Sequence, residues 1–414
     1  MKTKILVIGS GGREHALVWK VNQPNCQIYC APGNGGISTV AECLPIKADN
    51  ISGLLAFAQK ENIDLTIVGP EVPLGLGIVD EFQKNHLKIF GPNKKAAQLE
   101  TSKEFTKNFC RKYNLPTPNF ATFSETIKAK KYVENKDFPL VIKASGLAAG
   151  KGVIIVKNKQ EAFLTVDKIL EKKEFGKAGE IIVIEEFIVG QEVSMLAVCD
   201  GNTIIPLVPA RDHKPLLDGN KGPNTGGMGS YAPIPEVSKD WLIKIQTELF
   251  DPLLKALKKE SIEYKGIIYA GLILSGDNFY ILEFNCRWGD PEAEVIIPLL
   301  KTDMVTLCYD TIEGKLKKLD WKDEYTVTVI AASGGYPEKY ETGKSITGNL
   351  DNQDNLIIFH CGTKKENNNY FTAGGRVLAV TGIGKTLAEA REKSYQALKN
   401  IGFDNIHYRT DIGK

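Results

Sequence analysis

Short apolar runs alternate with helical patterns along residues 1–100. The apolar runs are KILVIG, QIYC, LTIVGPE and KIFGP, and REHALVWKV and ISGLLAFAQKEN between them carry apolar residues at helical spacing. This alternation is typical of a parallel sheet covered by helices. Turns rich in Pro and Gly follow several strands, as APGNGG, GPEVPLG and GPN. The pattern therefore predicts an open parallel-sheet domain whose ligands bind at the carboxyl ends of its strands.

The pattern changes at residue 101. A helix, TSKEFTKNFCRKY, is followed by the strand PLVIKA, a glycine loop and the strand GVIIVKN. A helix near EAFLTVDKILEKK and the strand EIIVIEEF come next. Strand, loop, strand, helix and strand in this order predict a small independent module, over residues 117–188, that acts as a mobile lid.

The stretch PARDHKPLLDGNKGPNTGGMGSYAPIP is the longest irregular segment that the pattern predicts. Loops of this length are usually functional or disordered. A helix, WLIKIQTELFDPLLKALKKE, and the strands YKGIIYAGLILS and DNFYILEFN follow it. From YTVTVIAAS onward the chain predicts an α+β unit that ends in the helix TLAEAREKSYQALKNI, with Gly402 as its C-cap. We therefore expect a multidomain α/β and α+β protein with bounds at 1–100, 101–325 and 326–414.

Composition narrows the class of protein. A chain of 414 residues is too long for one hydrophobic core. The 52 Lys and Arg residues nearly balance the 50 Asp and Glu residues, which disfavours nucleic acid as a partner. No apolar run approaches the ~18 residues that a membrane helix needs, and the N-terminus has no signal-peptide pattern. The eight cysteines show no metal-binding spacing, so we expect reduced thiols and a cytoplasmic protein.

The segment GSGGREHAL follows the first strand and opens a helix. Free backbone N–H groups at such a helix start suit an anion, which favours a phosphate or substrate loop over a purely structural turn. The dinucleotide fingerprint is incomplete, because Glu14 stands where the third glycine belongs.

The segment SGLAAGKG, from Ser145 to Gly152, differs from a Walker A loop. Only three residues separate Gly146 from Gly150, and Gly152 stands where Ser or Thr would hold magnesium. A strand follows it rather than a helix. We interpret it as a flexible glycine hairpin that folds over phosphates, with a plain turn as the alternative. Lys143, at the end of the preceding strand, is positioned to contact a phosphate.

Two further segments suggest ligands. In IEEFIVGQE the backbone of Glu186, Phe187 and Ile188 suits a purine, and Glu192 suits ribose hydroxyls, although strand-end charges of no special function have the same pattern. In YILEFNCRWGDPE strict alternation places Tyr280, Leu282 and Phe284 on one face and Ile281, Glu283 and Asn285 on the other. Glu283 and Asn285 thus offer two oxygen ligands for magnesium. Arg287, Asp290 and Glu292 crowd the following turn, and such mixed charges suit a zwitterion. His213, alone in the long loop, is expected to hydrogen-bond loop backbone.

Taken in order, these motifs resemble those of the phosphoribosylamine–glycine ligase family, also called glycinamide ribonucleotide synthetases. The resemblance runs through GSGGREHAL, APGNGG, GPEVPLG, AAQLETSKEF, KASGLAAGKG, IEEF, DHK, GPNTGGMG, EFNCRWGDPE and TAGGRVL, which span nearly the whole chain. It implies a central ATP-grasp domain between an α/β domain and a C-terminal domain. It also implies the second step of de novo purine biosynthesis, in which ATP drives the ligation of glycine to 5-phosphoribosylamine through glycyl phosphate.

The resemblance also implies roles for residues of this chain. The catalytic set is Arg287, Asp290 and Asp212, and the metal ligands for Mg²⁺ or Mn²⁺ are Glu283 and Asn285. The ATP-binding set is Lys103, Lys143, Gly146, Gly150, Lys151, Gly152, Glu185, Glu186, Phe187, Ile188 and Glu192. The substrate-binding set is Gly11, Gly12, Asn34, Glu71, Lys214 and Arg376. Two departures stand out: Ser145 replaces the usual Asp of KADGLAAGKG, and Arg211 and Pro215 flank DHK where the family usually reads QDHKR.

Three other interpretations stay open at this point. One is another ATP-grasp carboxylate–amine ligase or a carboxylase of purine metabolism. A second is an NAD(P)-dependent oxidoreductase, which needs a complete glycine fingerprint and an acidic residue where the second strand ends in CAPGN. A third is a non-catalytic regulator that keeps the fold. The expected partners are ATP, glycine and 5-phosphoribosylamine, without nucleic acid or membrane, and a monomer is expected with a weak dimer as the alternative.

Overall fold

A five-stranded parallel sheet in the order β3-β2-β1-β4-β5 forms the N-terminal part of the protein. The computed structural model describes residues 2–148 and 151–414. The strands are β1 (Thr3–Gly9), β2 (Cys26–Pro32), β3 (Glu42–Cys43), β4 (Leu65–Val68) and β5 (Ile89–Phe90), and the helices are α1 (Gly12–Val21), α2 (Ile51–Glu61), α3 (Glu71–Leu76) and α4 (Ile78–Lys84). The central strands are buried on both faces, as apolar runs covered by helices require. The open parallel sheet predicted from the sequence is confirmed.

The next sheet has its own apolar core. Helices α5 (Gln98–Thr101) and α6 (Lys103–Lys112) lead to β6 (Phe120–Phe123), α7 (Thr126–Val133), β7 (Leu140–Ala144), β8 (Val153–Val156), α8 (Lys159–Val166) and β9 (Ile182–Glu186). The four strands pair antiparallel in the order β6-β9-β7-β8. The core of this unit draws only on residues between 129 and 184. A unit that packs on itself in this way can move as one body, so lid motion stays a prediction for this segment.

The third sheet, in the order β11-β10-β16-β17, is antiparallel and carries the polar turn at residues 285–292. Its region contains β10 (Gln191–Cys199), β11 (Ile204–Pro206), β12 (Arg211–Asp212), β13 (Pro215–Leu217), β14 (Lys221–Asn224), β15 (Gly229–Ala232), α9 (Lys239–Ile245), α10 (Asp251–Lys259), β16 (Gly266–Ser275), β17 (Asn278–Asn285), α11 (Ala293–Ile296) and α12 (Met304–Glu313). The predicted long helix after residue 238 is present, with a π-helical turn between α9 and α10.

The long loop at residues 209–235 belongs in space to the C-terminal sheet. That region contains β18 (Tyr325–Ala332), β19 (Ser345–Ile346), β20 (Leu356–His360), β21 (Thr363–Glu366), β22 (Asn369–Thr372), β23 (Arg376–Gly384) and α13 (Leu387–Leu398). The sheet order β12-β15-β18-β23-β20 adds two strands of the loop to the C-terminal sheet, with β15 beside β18 and β12 at the edge. The sequence did not reveal this pairing, because β12 has two residues and β15 only four.

Two expectations about local structure were wrong. Helix α13 ends at Leu398 with Lys399 as its C-cap, and Gly402 instead exchanges two backbone hydrogen bonds with Thr347. In β17 the register slips opposite Gly271 and Leu272, so that Leu282 is the extra residue of a β-bulge. The bulge turns Ile281 into the core, whereas strict alternation placed it on the face of Glu283.

Two further features concern the cysteines and the character of the helices. All eight cysteines are free, seven are buried and Cys43 is half-buried. Among the described residues, no helix has both the length and the apolar character that a membrane span needs.

Candidate active site

Glu283 and Asn285 emerge from the bulged end of β17 on the same side. Burial alone would raise the pKa of Glu283, but Lys214, Lys103 and Lys143 outweigh burial and lower the pKa to about 2. The carboxylate is therefore ionised at any physiological pH. An ionised carboxylate beside an amide oxygen is a donor set that Mg²⁺ and Mn²⁺ accept, with phosphate oxygens completing the shell. These two residues thus fit a divalent cation held between the protein and a polyphosphate.

Lysine side chains surround this pair. Lys143 donates to the carbonyl oxygen of Leu282 at 3.0 Å and forms an ion pair with Glu185 at 3.0 Å. Lys103 is the first residue of α6, where its positive charge faces Glu283 and Lys143 and burial lowers its pKa. Lys143 is buried and Lys103 is half-buried, and a cluster of lysines beside Glu283 suits the phosphates of a nucleotide.

Lys107 is a residue that sequence reasoning missed. It is 2% exposed, donates to Thr117 Oγ1 at 2.6 Å and pairs with Glu185 at 3.1 Å. Burial lowers the pKa of Lys107 to about 8, against the opposing effect of Glu185. Its position one helical turn after Lys103 is the signal in the sequence that marks both lysines on one face of α6.

Glu185 and Glu186 have partners within the protein. Glu185 is buried between Lys107 and Lys143, so its carboxylate orients these lysines. The Glu186 carboxylate accepts from the backbone N–H of Asn119 at 2.8 Å. What remains for a purine at this strand end is the backbone after Glu186 and the half-exposed ring of Phe187. The Glu192 carboxylate lies 3.8 Å from the ammonium of Lys214, in the loop between β12 and β13.

Arg287 joins the N-terminal domain to the polar turn. Its guanidinium lies 2.9 Å from Glu100 and 3.4 Å from Glu71, and it donates to Asn285 Oδ1 at 3.2 Å. Burial by itself would lower the pKa of Arg287, but Glu100 and Glu71 outweigh burial, so the pKa of Arg287 is raised. Arg287 is a fixed cation between two carboxylates, and this mixed charge suits a small zwitterion.

Arg376 ties the C-terminal domain to the same turn. It pairs with Asp290 at 2.9 Å and donates to the carbonyl oxygens of Gly226 and Asp290 at 2.6 and 3.0 Å. Residues from all three parts of the chain therefore meet at residues 285–292. This convergence was expected from the motifs.

Asp212 and Lys214 occupy one face of the long loop. Burial, followed by Glu292, raises the pKa of Asp212 well above its usual range, and its Oδ1 has no hydrogen-bond partner among the described residues. Lys214 lies 3.8 Å from Glu283, and its pKa is raised by nearby carboxylates although burial opposes this. Glu292 accepts from Ser194 and Tyr269 at 2.8 and 2.6 Å. His213, which lies between Asp212 and Lys214 in the chain, differs from expectation. Its ring packs near Tyr231, and its Nδ1 has no partner among the described residues. Within that part of the chain, only its backbone groups hydrogen-bond the loop.

The polar groups and the free space of the N-terminal loop, residues 9–14, are largely taken up by contacts within the protein. Glu14 Oε2 accepts from the backbone N–H of Gly11 at 2.6 Å, and Arg13 Nε donates to Glu14 Oε1 at 2.6 Å. The Glu14 side chain fills the space beside Gly9 and Gly69, where a Cβ atom would lie 2.4 and 2.1 Å from its atoms. The start of α1 is thus capped by its own chain, yet Gly11 remains next to Asp290.

Gly12 and Asn34 serve contacts between domains. A Cβ atom on Gly12 would lie 2.4 Å from Glu294 Oε1 and 2.7 Å from Cys361 Sγ. The Asn34 side chain donates to the carbonyl oxygens of Ser10 and His360 at 2.8 and 2.7 Å, and its Oδ1 accepts two backbone N–H groups. Its hydrogen-bonding capacity is used within the protein, which favours a structural role over direct substrate binding.

The glycine hairpin after β7 is described only in part. Gly146 donates its N–H to the carbonyl oxygen of Ala178 at 2.9 Å, and Gly152 accepts from the N–H of Ala144 at 2.8 Å. Lys151 is exposed. Gly150 lies outside the described residues.

Comparisons with known proteins agree with this arrangement. Residues 3–100, 101–293 and 326–414 match the models described as phosphoribosylglycinamide synthetase N domain, ATP-grasp (A) domain and C domain. A phosphoribosylamine–glycine ligase of Caldanaerobacter subterraneus subsp. tengcongensis is 47% identical over 413 residues, with 99% of each chain covered. The solved phosphoribosylamine–glycine ligase of Thermotoga maritima is 34% identical, with a TM-score of 0.87 and 99% of each chain covered. A biotin carboxylase of Campylobacter jejuni, at 16% identity and a TM-score of 0.77, covers 99% of this chain and 93% of its own and shares the fold alone.

Proposed function

Because the chain belongs to the phosphoribosylglycinamide synthetase family, and is an ATP-dependent phosphoribosylamine–glycine ligase of purine biosynthesis, we propose that the cluster around residues 283–292 is its catalytic centre. The observation that carries this proposal is the convergence of Lys103, Lys143 and Lys214 on Glu283. Cations in this number around one carboxylate suit a polyphosphate with its metal ion.

The reaction divides into two steps. An oxygen of the glycine carboxylate attacks the γ-phosphorus of ATP, so that glycyl phosphate forms and ADP leaves. The amine nitrogen of 5-phosphoribosylamine then attacks the acyl carbon; the C–N bond forms, the C–O bond to phosphate breaks, and the amine releases a proton. No protein nucleophile is needed, because the chain supplies positioning and charge neutralisation.

Each group of residues has a distinct task in this proposal. Lys103 and Lys143 bind phosphates of ATP. The residues of the glycine hairpin that also bind ATP in this proposal are Gly146, Gly150, Lys151 and Gly152. The purine lies against the backbone of residues 186–188, and Glu192 binds ribose hydroxyls. Glu283 and Asn285 hold Mg²⁺ or Mn²⁺, which neutralises phosphate charge when bound.

The small substrates lie between the domains. Arg287 binds the glycine carboxylate, since its guanidinium is fixed by Glu100 and Glu71. Asp290 and Asp212 are placed to contact amines, and Lys214 and Arg376 flank them. Gly11, Gly12 and Glu71 border the site from the N-terminal domain. The lid at 117–188 excludes water, because acyl phosphates hydrolyse.

The remaining features of the proposal concern the protein as a whole. We expect domain bounds of 1–100, 101–325 and 326–414; the family models match residues 3–100, 101–293 and 326–414, which supports the three starting points. A cytoplasmic monomer suits the free thiols and the set of small-molecule substrates.

Phosphate release from ATP tests the function. We expect release to require glycine and 5-phosphoribosylamine together, with a divalent cation present. Omission of either substrate is the control. Equal turnover with bicarbonate or another carboxylate in place of glycine would refute the assignment.

A further inference from the structure

The long loop contains a hairpin, formed by β13, β14 and their turn (residues 215–224), that lies mostly in solvent. All of β14 is exposed, and so is the turn at residues 217–220. A cavity of about 550 Å³ lies beside the hairpin, lined by Leu216, Pro223, Tyr336 and His407, and His407 Nε2 is 3.1 Å from the Leu216 carbonyl oxygen. Because so little apolar surface is buried here, hydrophobic packing does not fix the position of this hairpin.

Polar contacts from residues 407–411 fix it instead. Arg409, 1% exposed, donates to the carbonyl oxygen of Pro215 and to Asn220 Oδ1, both at 3.0 Å. Asp218 Oδ1 accepts from the backbone N–H of Thr410 at 2.8 Å. Asp411 Oδ2 accepts from the N–H of Gly219 at 2.8 Å. We call this set of contacts the tail clasp.

Arg409 is itself held in place. Asp411 binds its guanidinium at two points, at 2.8 and 2.7 Å, and Tyr395 donates to its carbonyl oxygen at 2.9 Å. A buried, bidentate Arg–Asp pair has a fixed geometry that an exposed ion pair lacks. The clasp is therefore a rigid anchor on the C-terminal domain for an otherwise solvated hairpin.

The clasp acts at the residue next to Lys214. Pro215, whose carbonyl oxygen binds Arg409, follows Lys214 directly in the chain, and the Lys214 carbonyl oxygen accepts from Thr225 N at 2.8 Å across the base of the hairpin. We propose that Arg409 is a positioning residue for the ligase reaction, which sets the place of Lys214 through the hairpin. This inference rests on the proposed role of Lys214 at the substrate site.

The test compares variants that open the clasp from the hairpin side. Asp218→Ala and Asn220→Gly change exposed residues, and glycine accepts the left-handed backbone of Asn220 (φ 56°), so both variants should fold. We expect the KM values for glycine and 5-phosphoribosylamine to rise by about tenfold in the double variant, since small misplacements of a substrate-binding group have effects of this order. The KM for ATP should rise less, because Lys103 and Lys143 do not touch the hairpin and only Lys214, 3.8 Å from Glu283 and from Glu192, connects it to the ATP side. Arg409→Ala should show the same split with larger shifts.

Two control variants separate positioning from stability. Arg391→Ala removes a side chain that donates to the Thr410 and Ile412 carbonyl oxygens but does not touch the hairpin. Ser394→Ala removes hydrogen bonds to Gly382 and Val327 in the C-terminal sheet and does not touch the hairpin. Both should lower the melting temperature and leave the KM values unchanged. Hydrogen exchange at residues 219–224 should quicken in the clasp variants only.

The variant Lys214→Ala distinguishes a failure of the proposed role of Lys214 from a failure of the proposed role of Arg409. Unchanged KM values in Lys214→Ala would overturn the proposed role of Lys214. Raised KM values in Lys214→Ala together with wild-type values in Asp218→Ala/Asn220→Gly would overturn the positioning role of Arg409. Equal KM shifts in Arg391→Ala would also overturn it, since they would show a general effect of the tail.

Discussion

At the scale of single residues, Ser145 shows how a departure from the family pattern is accommodated. Its Oγ accepts from the backbone N–H of Glu104 at 3.0 Å, and its carbonyl oxygen accepts from Lys103 N at 2.8 Å. Ser145 therefore caps the start of α6, the helix that presents Lys103. An aspartate in this place offers the same kind of acceptor oxygen.

We expect Ser145→Asp to change turnover by less than about tenfold, which corresponds to ~1.4 kcal/mol of barrier. Ser145→Ala should have a similarly small effect through the lost hydrogen bond. Steady-state rates at saturating substrates are the measurement. A hundredfold rise with Asp would show instead that a carboxylate takes part in the chemistry.

Glu283→Gln should remove activity and leave the fold intact. The amide has no charge to neutralise a divalent cation and no longer balances Lys214, Lys103 and Lys143. A steady-state assay at low and high magnesium, beside a thermal melt, is the measurement. Asp277→Asn, in the exposed turn before β17, is the control. Wild-type rates of Glu283→Gln at low magnesium would exclude the ligand role.

The residue types of the site could be predicted from sequence, but their partners could not. Glu283 and Asn285 were found by alternation, although the bulge at Leu282 breaks that alternation just before them. Lys107 was overlooked because its partner, Glu185, lies far away in the chain. The motif predicts Asn34 as a substrate ligand, and it could not show that the Asn34 side chain also donates to the His360 carbonyl oxygen in another domain.

At the scale of elements, the sheet of β6 to β9 is the part that we expect to move. Its core is separate from the rest, and Leu147 and Lys151, in the described part of the glycine hairpin, are exposed. Hydrogen exchange with and without ATP is the measurement, and nucleotide should slow exchange in residues 145–152. The strands of the N-terminal sheet serve as an internal control. A hairpin that is equally protected without ATP would argue against a lid.

Element types and order were largely predictable because apolar periodicity is local. The β12 and β15 strands were not, since β15 pairs with β18, about a hundred residues away, and β12 pairs only with β15. The end of α13 was misplaced for the same reason: Gly402 is used in a bridge to Thr347, which the helical pattern cannot show.

At the scale of the whole molecule, His15 joins the first helix to the C-terminal sheet. Its Nδ1 accepts from the backbone N–H of His360 at 2.8 Å. Burial lowers the pKa of His15 to about 3, and burial, followed by Lys365, lowers that of His360 to about 4. Both rings are therefore neutral in the folded protein across the range in which free histidine titrates.

We expect acid to lower the free energy of unfolding through the contact between His15 and His360. Between pH 6.5 and pH 4 the unfolded chain binds protons at His15 and His360 that the folded chain does not, so stability falls as the pH falls. Each histidine contributes a slope of about 1.4 kcal/mol per pH unit. Denaturant unfolding at several pH values is the measurement, and His15→Gln should reduce the slope by one such contribution. An unchanged slope in His15→Gln would contradict this explanation.

The Glu14 side chain that fills the space beside Gly9 and Gly69 bears on how this protein can evolve. A residue larger than glycine at position 9 or 69 collides with it, and a smaller residue at position 14 leaves a void and two unpaired donors, Gly11 N–H and Arg13 Nε. No single substitution at these positions passes without loss. We expect the three positions to be inherited together among relatives, so that an alignment shows them either all retained or all replaced.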